Sequence, residues 1–375
     1  MVRYSRRRYL AALGTVAIAG CIDATGRADA PAEMRDGDTS ADDDGEASAA
    51  TNTGGSGPPT SDRSLPLPDG TGTLSDSIVS GGVPKDGIPS IDEPQFLDGA
   101  EADGWLDDGE PVFGVVVNGD VRAYPQRVLV WHEIVNDEIG GENLAVTYCP
   151  LTGTAQGFER GETEFGVSGN LLNSNLVMYD RATDSYWPQM LATAIRGDLE
   201  GSVLREFPVT WTTWERWRDT QPETIVLSDE TGFARNYDSD PYGSYNPLGG
   251  FYSSDSLIFS PYTAVDDSAF HVKEIVLGAR TEDGSVAVHK ASLAEANLLE
   301  TEVGDVPYVA IYEPSLDTGY VYRNPDAIDV TYDDGVATVE GDSYRPDDLP
   351  LERIVRYDAF WFAWAGYYPE TEVLQ

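Results

Sequence analysis

Short apolar runs separated by turn residues characterise the chain from Val112 onward. Phe113–Val117 and Val121–Tyr124 flank the step Asn118-Gly119, which predicts a β-hairpin because this step readily adopts the positive φ angles of a tight turn. Pro125–Val135 carries apolar residues at helical spacing and begins with proline, which predicts a short helix. The pattern is typical of strands joined by tight connections.

The next two segments also have the pattern of β-strands. Leu144–Tyr148 predicts a strand, and Thr154–Glu159 predicts its partner. A hydrophobic content of 41% with 10% aromatic residues is sufficient for a packed core. We therefore expect an α+β, β-rich fold made of β-meanders with a few short helices.

The pattern recurs farther along the chain. Ala145–Pro150 aligns with Val309–Pro314, 164 positions later. Further matches follow in the same order: Gly114 with Gly278, Ile139-Gly140 with Val303-Gly304, Thr154 with Thr318, Phe165–Gly169 with Ala337–Gly341, and Leu176–Asp180 with Ile354–Asp358 ahead of Trp187 and Trp364. These matches predict an internal repeat, with a first β-rich half at 76–240 and a second at 241–375. Two unrelated β-meanders are the alternative.

The start of the chain predicts a targeting signal. Three consecutive arginines, Arg6–Arg8, precede the apolar stretch Tyr9–Gly20, which is shorter than the ~20 residues of a spanning helix. Ile18-Ala-Gly-Cys21 resembles a lipobox. We expect residues 1–21 to be a twin-arginine-type lipoprotein signal, with lipid on Cys21 holding the protein to the outside of the cell membrane. A retained, uncleaved anchor is the alternative. Residues 22–75 are polar and acidic and predict a disordered tether.

Composition limits the function classes. The chain has 65 acidic and 24 basic residues and a formal net charge of −41, which excludes nucleic-acid binding as a main activity. Only three basic residues are lysines: Lys85, Lys273 and Lys290. An acidic, lysine-poor chain is typical of proteins adapted to molar salt, where the Debye length is about 3 Å. An ordinary acidic secreted protein is the alternative.

Cysteine usage predicts where chemistry could occur. With Cys21 lipidated, Cys149 is the remaining cysteine, at the end of a predicted strand. In the aligned second half its place is taken by Glu313, so the first half is the better candidate for activity. We expect His132 to lower the thiol pKa and Thr152 to donate its hydroxyl to the thiolate. A buried, inert thiol is the alternative.

Two other functions remain open at this level. His132, Cys149 and Met178 form a soft ligand set suited to copper, which would make the protein a metal-binding module without catalysis. Trp211, Trp214 and Trp217, together with Trp131 and Trp187, could line a ligand pocket. The helical spacing of the first three is also typical of a core face.

Several motifs together resemble the domain of unknown function 3179 family. They are Trp131–Asp137, Thr147–Gly153, Phe165–Gly169 with Leu176–Asp180, Asp240–Tyr245 and Phe360–Trp364, and the resemblance runs from about residue 85 to the end. It implies thiol redox chemistry, because family members often carry a second cysteine three residues after the first, and some place selenocysteine in this motif. Here that position is Thr152. This departure from the family pattern argues against dithiol–disulfide exchange. A Cys-x-x-Thr thiol can be oxidised to a sulfenic acid but needs an external thiol to reset it, so we expect a reductant or a small-molecule substrate as the partner.

Overall fold

A computed structural model describes residues 56–265, 269–333 and 335–375. The predicted signal, the lipid site Cys21 and most of the predicted tether lie outside the described residues. No helix in the described ranges is long and apolar enough to cross a membrane. The predicted α+β, β-rich class is confirmed, since strands far exceed helices.

The elements are short, as the sequence pattern predicts. Up to residue 230 the strands are β1 (Thr60–Ser61), β2 (Val79–Ser80), β3 (Phe96–Asp98), β4 (Pro111–Val117), β5 (Asp120–Pro125), β6 (Ile134–Ile139), β7 (Glu142–Cys149), β8 (Thr154–Glu159), β9 (Phe165–Leu172), β10 (Asn175–Asp180), β11 (Tyr186–Pro188), β12 (Val203–Leu204), β13 (Glu206–Phe207), β14 (Thr210–Thr213) and β15 (Ile225–Leu227). The helices there are α1 (Thr71–Asp76), α2 (Gly99–Ala102), α3 (Gln126–His132) and α4 (Trp214–Thr220).

The remaining elements are also short. The strands are β16 (Gly243–Tyr245), β17 (Leu248–Gly250), β18 (Ile275–Thr281), β19 (Gly284–His289), β20 (Leu298–Val303), β21 (Val306–Glu313), β22 (Thr318–Arg323), β23 (Val330–Asp333), β24 (Val336–Val339), β25 (Asp342–Tyr344), β26 (Glu352–Ile354), β27 (Arg356–Phe360) and β28 (Glu372–Leu374). The helices are α5 (Lys290–Ala296) and α6 (Trp361–Tyr367), and short 3₁₀ turns occur at Gln189–Leu191 and Phe251–Ser253.

Small sheets pack around shared apolar cores. The sheet orders are β14-β4-β5-β15-β3, β13-β8-β7-β6, β11-β10-β9-β2, β27-β18-β19-β28, β20-β21-β22-β26 and β23-β24-β25, with two-stranded β1-β12 and β16-β17. The predicted hairpin is present: β4 pairs with β5, and Asn118 and Gly119 have φ angles of 51° and 85°. Apolar side chains on β7 and α3 join one core cluster with β4 and β5.

One arrangement of elements occurs in both parts of the chain. The bounds of β4, β5, α3, β6, β7 and β8, shifted by 164 residues, are those of β18, β19, α5, β20, β21 and β22. In each part a later strand pairs with the first strand of the hairpin and leads into a helix (β14 and α4, β27 and α6). The helix places a tryptophan over a glycine, Trp217 over Gly114 and Trp364 over Gly278. Descent from a duplicated ancestor stays a prediction.

Two of the sequence matches do not occupy equivalent positions. Leu176–Asp180 lies in β10, which pairs with β9 and β11, whereas Ile354–Asp358 runs from β26 into β27, which pairs with β18. Phe165–Gly169 and Ala337–Gly341 likewise lie in sheets of different order. A five-residue apolar string suits any buried strand, so such a match does not specify a position in a sheet.

The fold begins earlier than composition predicts. β1 pairs with β12, and Leu74 of α1 is fully buried in a core cluster. The described residues before 76 are therefore part of the fold, because a few apolar side chains are enough to dock a polar segment on an existing core. Trp211 also differs from expectation, since it lies in β14 rather than on the helix with Trp214 and Trp217.

Candidate thiol site

Cys149 is the last residue of β7 and is enclosed by protein. It pairs across the ladder with Thr154, and its side chain is 1% exposed among apolar residues that include Met178. Burial, together with the negative charge of Glu133, raises the pKa of the thiol to about 11. Cys149 ends a strand, as predicted, and it is buried, as in the alternative of a buried thiol.

His132 does not act on this thiol. Its Nδ1 donates to the carbonyl oxygen of Pro89 at 2.7 Å, and its Nε2 accepts from the Tyr237 hydroxyl at 2.7 Å. Burial lowers the His132 pKa to about 4, so the imidazole is neutral near pH 7. The predicted cationic partner of Cys149 is therefore wrong: both ring nitrogens are occupied, and no charge is present.

The next residue, Glu133, takes the position expected for His132. It ends α3 with φ 59° and ψ −29°, the left-handed region in which non-glycine residues are uncommon. Its carbonyl accepts the Tyr148 N–H at 2.7 Å, which fixes Glu133 beside the end of β7. The junction between helix and strand thus places Glu133 where its charge raises the pKa of the Cys149 thiol.

The Glu133 carboxyl group has no protein partner. The residue is 8% exposed, and its carboxyl oxygens keep some contact with solvent but make no hydrogen bond or ion pair with any residue in the described ranges. Burial alone raises its pKa to about 8. A buried carboxyl group without a partner is costly, and a perturbed carboxyl beside a nucleophile is a frequent feature of catalytic sites. Sequence reasoning missed this residue.

One sequence signal could have identified Glu133. At the corresponding position of the second part, α5 ends at Asn297 with φ 65° and ψ −27°. Asparagine tolerates the left-handed region better than most residues. A glutamate at such a position therefore indicates a role other than forming the turn.

Thr152 lies near Cys149 within a buried polar network. Its hydroxyl accepts from the Asn175 amide at 3.2 Å and lies 2.8 Å from the Thr154 hydroxyl. Thr154 donates its own proton to Gln189 at 2.8 Å, so Thr152 donates to Thr154. Thr152 nevertheless acts to lower the Cys149 pKa as a hydrogen-bonding neighbour. To donate to a thiolate, its hydroxyl would have to leave Thr154.

A segment that contains β16, β17 and the following 3₁₀ turn packs against the core around the thiol. We call Asp240–Ser256 the covering segment. Its Tyr242 and Phe251 pack against the core cluster that contains Cys149, with ring centroids 6.0 Å apart. Burial raises the Tyr242 pKa, and the charges of Glu133 and Cys149 raise it further, which places all three groups together. The Tyr242 hydroxyl has no hydrogen-bond partner in the described part of the chain.

Lys273 fastens this segment. Its Nζ donates to the carbonyl oxygens of Phe251, Ser254 and Ser256, the last two at 2.7 and 2.9 Å, and lies over the Phe251 ring. At the other end, Asp240 accepts from the Gln126 amide at 2.8 Å. Burial lowers the Lys273 pKa to about 8. Access to Cys149 through this face therefore requires the covering segment to move.

The other predicted sites are not assembled. Met178 lies in the apolar cluster with Cys149, but the His132 nitrogens are used elsewhere, so the predicted copper ligands do not converge. The described residues contain no group of three or more His, Cys, Asp or Glu side chains able to hold a metal ion. Trp187 and Trp214 are fully buried in different core clusters and do not share a pocket.

These features define a β-rich protein with one enclosed thiol beside an unpaired carboxyl group. The chain belongs to the family described as protein of unknown function DUF3179, whose model matches residues 85–371 and so includes every residue of this site. No curated protein and no solved structure matched the chain.

Proposed function

We propose that this protein is a thiol-dependent oxidoreductase in which Cys149 is the reacting group and Glu133 is its proton acceptor. The observation that carries the proposal is the buried Glu133 carboxyl group, which has no other partner and interacts electrostatically with the thiol. A carboxyl group with a pKa near 8 is suited to accept and return a proton near neutral pH.

The reaction that fits one thiol is reduction of a hydroperoxide. Glu133 accepts the proton of the Cys149 thiol, and the thiolate sulfur attacks the terminal peroxide oxygen. An S–O bond forms as the O–O bond breaks, and Glu133 returns the proton to the leaving alkoxide. The products are Cys149 sulfenic acid and an alcohol, so sulfur is oxidised by two electrons and the peroxide is reduced.

The cycle needs an external thiol because Thr152 replaces the second cysteine. The first external thiol condenses with the sulfenic acid to give a mixed disulfide and water. A second external thiol displaces Cys149 and leaves as a disulfide, which restores the starting thiol. The partners we propose are thus a small hydroperoxide and a low-molecular-weight thiol.

The location we propose rests on the sequence pattern at Arg6–Arg8 and Cys21. A lipid on Cys21 would hold the folded part to the membrane on the side away from the cytoplasm. The acidic residues after Cys21 would separate that part from the lipid surface.

Trapping the sulfenic acid tests the proposal. Wild-type protein treated with hydroperoxide and dimedone should gain one adduct, which mass spectrometry places on Cys149, and Cys149→Ser should gain none. Glu133→Gln should react at least about tenfold more slowly at pH 7–8. At pH 10 it should match or exceed wild type, because loss of the neighbouring charge lowers the thiol pKa.

A matched control distinguishes the loss of the proton acceptor from the general effect of removing one negative charge. Glu215→Gln removes an exposed carboxyl group and should leave the rate unchanged at every pH. If Glu133→Gln reacts as fast as wild type at pH 7–8, Glu133 is not the proton acceptor. If native wild-type protein gains no adduct, Cys149 is an inert core residue.

A further inference from the structure

A cavity lined by residues of both parts of the fold lies apart from the residues around the thiol. Its volume is about 420 Å³, within the range of small-molecule sites. Gly114 of β4, Thr210 of β14 and Trp217 of α4 line one side. Tyr320 of β22 and Arg353 of β26 line the other. The cavity is therefore built from regular elements on both sides.

The charges around this cavity differ from those of the whole chain. The protein has 65 acidic and 24 basic residues, yet Arg345 and Arg353 both line the cavity. Arg216 lies at its edge and donates to the carbonyl oxygens of Pro314 and Ser315. The two arginines equal the two lining carboxylates, Glu313 and Asp347, in number, whereas acidic residues outnumber basic ones more than two to one in the whole chain. This local balance of charge makes the cavity more favourable to an anionic ligand than the rest of the surface.

Arg353 is available to such a ligand. It makes no ion pair with a carboxylate in the described ranges, although acidic residues are far more numerous than basic ones. Its guanidinium lies 4.5 Å from the centre of the Tyr320 ring, and it donates to the Asp347 carbonyl oxygen at 3.3 Å. The ring and the carbonyl orient the guanidinium without neutralising its charge.

The two carboxylates of the cavity are already engaged. Asp347 forms a two-bond pair with Arg345 at 2.8 and 2.9 Å. Glu313 accepts from the Ser315 hydroxyl and amide at 2.6 and 3.0 Å. Neither carboxylate forms an ion pair with Arg353.

Tyr320 supplies an independent indication of a ligand. The residue is 4% exposed and lines the cavity, and its hydroxyl makes no hydrogen bond with any residue in the described part of the chain. The hydroxyl oxygen is accessible to solvent and is therefore free to bond a ligand in the cavity. A hydroxyl and an unpaired guanidinium in one cavity match the donors that bind a carboxylate or phosphate.

The rest of the wall is mixed. Thr210, Thr220 and Gln221 contribute polar groups, and Trp217 and Leu316 supply apolar surface beside them. We infer that this cavity binds a small organic anion, with its carboxylate or phosphate group on Arg353 and the Tyr320 hydroxyl and its apolar part against Trp217 and Leu316. The site is separate from Cys149 and does not depend on the thiol chemistry proposed above.

Binding of three matched probes tests this inference. Benzoate and phenyl phosphate carry the anion on one aromatic ring, and benzamide is the neutral match. Their binding to the full chain is measured by saturation-transfer difference NMR and calorimetry at one fixed potassium chloride concentration. At least one of the two anions should bind. Benzamide should bind at least about tenfold more weakly than that anion.

Two variants locate the binding site. Arg353→Gln should weaken anion binding at least about tenfold, and Tyr320→Phe should weaken it several-fold while circular dichroism is unchanged. Arg235→Gln is the matched control, because Arg235 is exposed, forms no ion pair in the described ranges and does not line the cavity. Equal binding of benzamide, wild-type affinity in Arg353→Gln, or no binding of either anion would overturn the inference.

Discussion

Replacing Glu133 by glutamine should make the stability of the protein less dependent on pH. Burial raises the Glu133 pKa from 4.5 to about 8. The folded state therefore holds this proton more tightly than the unfolded state does. The stabilisation is fully present below pH 4.5 and is lost as the pH rises through 8. One proton changes the free energy of unfolding by about 1.4 kcal/mol per pH unit, so wild type should lose about 4 kcal/mol from this group between pH 5 and 8.

Guanidinium chloride unfolding, followed by tryptophan fluorescence at pH 5, 6, 7 and 8, measures this loss. Glu133→Gln cannot ionise at this position, so its stability should exceed that of wild type by an amount that grows with pH. Glu215→Gln, which removes an exposed carboxyl group, should follow the wild-type curve. Parallel curves for wild type and Glu133→Gln would show that Glu133 ionises without a burial penalty, and the reasoning about the site would fail.

Two further predictions follow from the contacts and a third from the sequence. Lys273→Met removes three hydrogen bonds to the covering segment and should speed maleimide labelling of Cys149 several-fold with the circular dichroism unchanged; an unchanged rate would mean that this segment is not the barrier. His132→Ala should cost about 1–3 kcal/mol, because the Pro89 and Tyr237 groups lose their partner, but should leave the pH profile of Cys149 labelling unchanged. Cys21→Ser should release the protein from the membrane fraction, and continued association would indicate a retained anchor.

Local elements of the fold could be predicted from the sequence. The Asn118-Gly119 hairpin, the strand that ends at Cys149 and the strand from Thr154 follow from turn chemistry and apolar runs, and each is present. These features depend on residues that are neighbours along the chain. Local pattern is therefore sufficient to place the thiol at the end of a strand.

The surroundings of the thiol could not be predicted in the same way. Tyr242 and Phe251, about a hundred residues later in the chain, pack against the core cluster that contains Cys149, and no local pattern indicates that contact. The choice between His132 and Glu133 depends on one left-handed residue at the end of α3. Periodicity locates the helix but does not show which of two adjacent side chains reaches the thiol.

The second part of the fold shows which features the shared framework requires. At the position that matches Cys149, β21 ends with Glu313, a half-buried carboxylate bonded to Ser315. At the position that matches Glu133, the turn is made by Asn297. In both parts the turn residue accepts the same backbone hydrogen bond, from Tyr148 to Glu133 and from Tyr312 to Asn297. The framework thus forms without a buried thiol or an unpaired carboxyl group. Their presence together in the first part adds a burial cost that folding does not need, which supports a chemical role for the pair.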